Sequence, residues 1–294
     1  MRALDGAYAK LAWGSKHIQA FQVERDRLLG QLNRPAIAFD QQLDVQTNDW
    51  VVTVAEVAEF PSLSLFVGDA ANNFRSALDY LIWEVAYIDG VGVEPPHGRT
   101  QFPIIMRGPS EFADQTNTLE NISDAHRAII EGFQPYKPWK GLDFHPLGLL
   151  RDISDDDKHR LVVATPVTAA GMESRFPHWG DNCHVGGKVS GRAVTRHPLE
   201  VGTEVLRIGL VVTGPNPKMK VDTDVPIEVS LFNGLPVDYA LVQIAKAVEV
   251  VLKRFHSFFN ERRSRAIWHP RTGRLTPRSL AGQTIHLAKH VPPP

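Results

Sequence analysis

The sequence predicts an α+β protein, with helices from the first half and a C-terminal helix packed beside or around an antiparallel β-sheet. Apolar residues Val67, Ala70, Phe74, Ala77, Leu78, Leu81, Val85 and Ile88 recur at helical spacing, as do Leu241, Ile244, Ala245, Val248, Val251, Leu252, Phe255 and Phe259. Such stripes belong to helices with one buried face. Between Leu161 and Phe232 the period changes to two, most clearly at Leu206, Ile208, Leu210 and Val212, and Gly and Pro separate the runs at hairpin distances, the mark of an antiparallel sheet.

The elements follow in order. Residues 3 to 32 form a first helix with two heptad series, Leu4, Leu11, Ile18 and Leu32, then Ala7, Phe21 and Leu28, stopped by Asn33-Arg34-Pro35,. Ile37 to Phe60 alternates around Thr47-Asn48-Asp49 and reads as a β-hairpin,. A helix over Leu63 to Ile88 ends at Asp89-Gly90, where glycine supplies a left-handed cap. Short helices are expected at Pro109 to Gln115 and at Ser123 to Gly132, the second N-capped by Ser123. A further helix, Phe144 to Ile153, ends in Asp155-Asp156-Asp157, and strands then run to residue 235. The last helix spans Pro236 to Arg262. The helical part is thus 1–157 plus 236–262, the strand-rich part 158–235, together one domain, and 263–294 is an Arg-, Gly- and Pro-rich tail expected to be extended.

Composition narrows the function classes. With 43% hydrophobic and 22% charged residues in a 294-residue chain, a sizeable core is available and the class is soluble globular. No run approaches about 18 consecutive apolar residues, and Met1 to Gly6 lacks a secretory pattern, so no membrane partner and a cytoplasmic location are expected. The lone Cys183 agrees with a reducing compartment. Net charge is −1, yet residues 253–294 hold nine Lys and Arg against Glu261 alone. Such a segment binds phosphate backbones, or the acidic remainder of the chain or a partner subunit. RNA held through 253–278 is the partner expectation, and the amphipathic helices imply a homo-oligomer.

Two polar clusters stand out. On the helical wheel Asp69, Asn72, Asn73, Ser76, Asp79, Tyr80 and Trp83 gather opposite the apolar stripe, with Arg75 at the border one turn before Asp79. Arg75 and Asp79 can pair, and the indole and phenol argue against a merely solvated face. The second cluster is Asp155-Asp156-Asp157-Lys158-His159-Arg160. A histidine with a pKa of about 6.5 can act as acid or base, and Lys and Arg beside it can hold a phosphate or carboxylate. The alternative is a charged helix terminus whose basic residues meet its last carbonyls. His178 to His184 contains zinc-binding residue types, but adjacent Cys183-His184 lacks the separated pairs of a zinc site and reads as a loop entering a strand. Gly186 to Ser190 is not a phosphate loop, and no nucleophile elbow, H-E-x-x-H or Rossmann fingerprint occurs.

Residues 68–83 (G-D-A-A-N-N-F-R-S-A-L-D-Y-L-I-W), 102–104 (F-P-I), 134–136 (Q-P-Y) and 146–160 (P-L-G-L-L-R-D-I-S-D-D-D-K-H-R) together resemble a family of bacterial and phage proteins marked by an R-S-A-L-D helix and a D-K-H-R segment. That family carries no established activity. The helix also resembles HEPN-type ribonucleases, whose signature is Arg-x4-6-His, although here four residues after Arg75 lead to Tyr80, a poor acid-base substitute with a pKa of about 10. The resemblance implies a metal-independent RNA endonuclease with no cofactor, in which Arg75, Asp79, His159 and Arg160 are catalytic and Asn72, Tyr80, Asp157 and Lys158 contact the ligand. The alternative is a non-catalytic binding or assembly protein in which both clusters are structural.

Overall fold

The computed structural model describes residues 4–31, 36–95, 100–114, 119–159, 165–168, 173–191, 200–224, 227–231, 233–264, 266–269 and 274–277. It is an α+β fold in which the main antiparallel sheet has a core separate from the helical one, while Val229 of a short strand joins the helices. The helices are α1 (Asp5–Gln31), α2 (Pro61–Asp89), α3 (Pro109–Ala113), α4 (Asp124–Gly132), α5 (Pro146–His159) and α6 (Val237–Ser264).

α2 is the helical core's axis. Pro61 opens it, where a missing N–H costs nothing, and Leu63, Val67, Phe74, Leu78, Leu81 and Val85 are fully buried against α1, α5 and α6. α1 approaches closely because position 14 is glycine, and a Cβ there would sit 2.5 Å from the Phe74 ring. α6 buries Leu241, Ile244, Val248, Val251, Leu252 and Phe255 completely. At the end of α2 the expected left-handed glycine is displaced. Gly90 has φ −77°, and the positive φ falls on Val91 (57°) and Gly92 (84°), whose N–H donates to the Tyr87 carbonyl at 2.9 Å.

The strands are β1 (Ile37–Asp44), β2 (Asp49–Val57), β3 (Thr165–Thr168), β4 (Glu173–Asp181), β5 (Cys183–Gly191), β6 (Glu204–Val212), β7 (Lys218–Asp224), β8 (Ile227–Ser230), β9 (Ala266–His269) and β10 (Arg274–Pro277). The main sheet is antiparallel in the order β1-β2-β6-β5. Strand residues are thus not confined to 158–235, because the early hairpin supplies half of this sheet. Its inner face, including Trp50, Val52, Val54, Leu206 and Ile208, packs on Met219 and Val221 of β7. The Gln41 side chain ties the layers together: its Oε1 accepts the Val221 N–H at 2.9 Å and its Nε2 donates to the Val221 carbonyl at 2.6 Å.

Other expectations need correction. β4, outside the expected strands, pairs with β7 in a ladder interrupted between Arg175 and His178 and again between His178 and Asp181, around Pro177 and Gly180, residues that weaken a ladder; β7 itself alternates, with buried Met219 and Val221 following exposed lysines. α5 continues through the acidic run to His159 instead of ending at Ile153. α6 runs on to Ser264, and β9 pairs with β10, so the first part of the tail is a hairpin. Residues 161–164 and 278–294 of the expected strands and tail lie outside the described residues. Among the described residues no helix is long and apolar enough to cross a membrane.

Candidate functional site

An extended strap, residues 101–105, runs between α2 and α5, and side chains from three places hold its backbone. Asp79 Oδ1 accepts the Phe102 N–H at 2.9 Å, while Arg75 Nη2 donates to the Phe102 carbonyl at 2.7 Å. Arg75 Nε lies 3.5 Å from Asp79 Oδ2, the i,i+4 pair expected on this helix face,. Two residues along the strap, Arg151 Nη1 of α5 donates to the Ile104 carbonyl at 3.4 Å, and its Nε lies 3.6 Å from Asp155 Oδ2. The fully buried Gln134 closes the strap, its Oε1 accepting the Ile105 N–H at 2.9 Å and its Nε2 donating to the Ile130 carbonyl at 3.0 Å. The two helices thus apply one device, Arg-x3-Asp, to alternate residues of an extended chain. The four segments quoted for the resemblance meet around this strap.

Beside it opens a cleft of about 610 Å³ lined by Asn72, Arg75, Ser76 and Asp79 of α2, Arg151, Ser154 and Asp155 of α5, Glu111 and the strap. Among the described residues the cleft is lined by two guanidiniums and three carboxylates, and Arg75 and Arg151 each lie beside one of those carboxylates. Asn72 is exposed at the rim. Tyr80, 49% exposed, is not among the lining residues; its ring lies by Gly6 of α1. Trp83 is half-buried and stacks on Tyr87 with centroids 5.5 Å apart. His159 is the last residue of α5, one turn beyond Asp155, and the side chains of Asp157, Lys158 and His159, with all of Arg160, lie outside the described residues. In the basic segment, Lys253 pairs with Glu249 at 2.7 Å and Arg254 is exposed; the side chains from residue 260 onward are not described.

Besides Gln134, three polar groups escaped the sequence reading. Arg151 could have been found, since R-D-I-S-D repeats the spacing of R-S-A-L-D. His145 caps α5, its Nδ1 accepting the Leu147 N–H at 3.2 Å; burial beside the Trp139 ring, 5.1 Å away, lowers its pKa to about 4. Asp89 and His126 form a buried pair, Oδ2 to Nδ1 2.6 Å, beside Ser123. Ser123 occupies the N-cap position of α4 without a side-chain cap bond; its Oγ lies 3.1 Å from His126 Nδ1 and its N–H donates to Asp89 at 2.8 Å. Burial pushes the Asp89 pKa up, but the bonds from His126 and Ser123 outweigh it and hold the carboxyl below its ordinary value. This is no nucleophile triad, because Ser123 and Asp89 address the same nitrogen and His126 Nε2 is sealed among the Phe255, Phe258 and Phe259 rings.

The remaining polar surfaces are less enclosed. Asn182, with φ 60°, turns β4 into β5, and Cys183 is buried with Sγ 3.6 Å from the Lys218 carbonyl. Among the described residues no group of three or more His, Cys, Asp and Glu side chains could hold a metal ion. Arg207 on the outer sheet face is ringed by Asp44, Asp49 and Glu204 at 2.7 to 3.1 Å.

Fold and cleft together define an α+β protein with a mixed-charge cleft beside an internal strap. No family model, curated protein or solved structure matches the chain.

Proposed function

We propose that this is a binding protein whose ligand site is the cleft between α2 and α5, and in which Arg75 and Asp79 act as a brace for the strap. One observation carries the reading: both backbone groups of Phe102 are held by this pair, at 2.7 and 2.9 Å. Residues engaged in this way maintain the cleft wall, and losing either leaves a backbone group of a buried residue unpaired.

The alternative is the nuclease, with Arg75, Asp79, His159 and Arg160 catalytic and the 253–278 segment on RNA; against it stands the engagement of Arg75 and Asp79 with the backbone of Phe102. We keep the homo-oligomer as part of the proposal on the strength of Trp13, 52% exposed on α1; size-exclusion with light scattering reads it directly.

The deciding experiment compares Arg75→Ala, Asp79→Ala and His159→Ala by thermal melting and by incubation with a labelled single-stranded RNA. The binding reading expects the first two to melt earlier, the third to melt like the parent, and the RNA to remain whole with every protein. RNA cleavage by the parent that the three variants abolish would replace it with the nuclease.

A further inference from the structure

We propose that the cleft takes a small zwitterion with a free carboxylate and a free ammonium group, the chemistry of an amino acid or the end of a short peptide. The assignment rests on reading the cleft as a binding site and adds the ligand class.

Volume sets the first limit. About 610 Å³ falls among small-molecule sites, which run from about 300 to 1,000 Å³. Charge sets the second: among the described lining residues Arg75 and Arg151 stand against Asp79, Glu111 and Asp155, and these opposed signs suit a ligand bearing both.

The donors are available on the cationic side. A guanidinium carries five N–H donors. Arg75 directs one to the Phe102 carbonyl and its Nε toward Asp79; Arg151 directs one to the Ile104 carbonyl and its Nε toward Asp155. Among the described residues these contacts engage two of the five N–H groups on each head,. Their forked geometry matches a carboxylate, and both heads are already oriented by a neighbouring aspartate and a fixed carbonyl, which lowers the ordering cost of binding. Arg151, with its side chain 40% exposed, is the more accessible of the two.

On the anionic side, Glu111 Oε2 accepts the Arg107 N–H at 3.2 Å, which fixes the carboxylate while its second oxygen can receive an ammonium. Asp155, at the α5 wall with its side chain 56% exposed, adds to the same negative field.

The test is calorimetric titration of the full chain with the common amino acids and with dialanine, each also in C-amidated and N-acetylated form, alongside inorganic phosphate and a short single-stranded RNA. We expect at least one free zwitterion to bind and both capped forms to lose about tenfold or more in affinity, about 1.4 kcal/mol. Arg151→Gln should weaken the carboxylate-bearing forms, and Glu111→Gln, at a half-exposed position that carries no strap bond, should weaken only those with a free amine. The proposal falls if no zwitterion binds at about 10 mM, if capped forms bind as well as free ones, or if phosphate or RNA binds in their place. In those cases the brace reading still stands wherever Arg75→Ala and Asp79→Ala melt early and RNA stays uncut.

Discussion

Asp89 and His126, at the end of α2 and in the first turn of α4, meet at 2.6 Å in a site where His126 is fully buried and the Asp89 side chain 6% exposed. Because an ionised carboxylate only accepts, Nδ1 carries the proton, and Nε2 is left bare against phenylalanine rings of α6,. One polar contact therefore joins the end of α2 to the first turn of α4 beneath the phenylalanine rings of α6. His126→Ala removes the partner of a buried carboxylate and opens a cavity under α6, and should cost about 2–4 kcal/mol in urea unfolding. A loss below about 0.5 kcal/mol would mean that the pair does not hold the helices.

The same pair predicts acid sensitivity. The folded pKa of Asp89 is depressed, so its contribution is complete above the unfolded value of about 3.9 and is lost as pH falls through the folded value. Unfolding midpoints followed below about pH 4 should drop less steeply in Asp89→Asn than in the parent.

A second window lies higher. His145 has a folded pKa of about 4 against an ordinary 6.5, so it destabilises the fold only once the unfolded chain binds a proton that the folded chain refuses. Its contribution is complete above pH 6.5 and is lost as pH falls toward 4,. His145→Asn keeps an acceptor for the Leu147 N–H at the start of α5 and removes the titration. The melting temperature of this variant should therefore vary less between pH 7 and 4.5 than the parent's; identical curves would refute the assignment.

The strap brace predicts an ordering among substitutions at one position. Asp79→Asn retains an oxygen for the Phe102 N–H, whereas Asp79→Ala orphans it, so the alanine variant should lose about 1–3 kcal/mol and the asparagine variant clearly less. Arg75→Lys keeps the charge but not the fork, and should fall between the parent and Arg75→Ala. Equal melting across the series would remove the brace.

Gly14→Ala tests the closeness of α1 and α2. Alanine gains up to about 1 kcal/mol in helix propensity over glycine, yet its Cβ would lie 2.5 Å from the Phe74 ring, and such overpacking costs about 1–3 kcal/mol. Net destabilisation by denaturant titration is expected, whereas a rise in stability would show that the helices can separate freely.

Within the sequence, the long helices were legible because their stripes bury residues at every third and fourth position, and Arg75 facing Asp79 followed from spacing alone. β1, β2 and β6 were legible by alternation, whereas β4 was not, since Pro177 and Gly180 interrupt its ladder. Arg151 could have been found from its repeat of the Arg-x3-Asp spacing. Gln134, His126 and His145 could not, because a single polar residue acquires its meaning from a partner many positions away.

What the sequence determined by itself is therefore local: the class of fold, the helical faces, the hairpin of β1 and β2, and the polar stripe on α2. The tertiary structure decided which groups share a place. It set the early hairpin beside β6, drew α5 alongside α2, and laid Phe102 to Ile105 between them. The physical reason is that periodicity records only which side of an element avoids water, whereas hydrogen bonds such as Asp79 to Phe102 and Gln134 to Ile105 depend on distances fixed once the separate elements have packed.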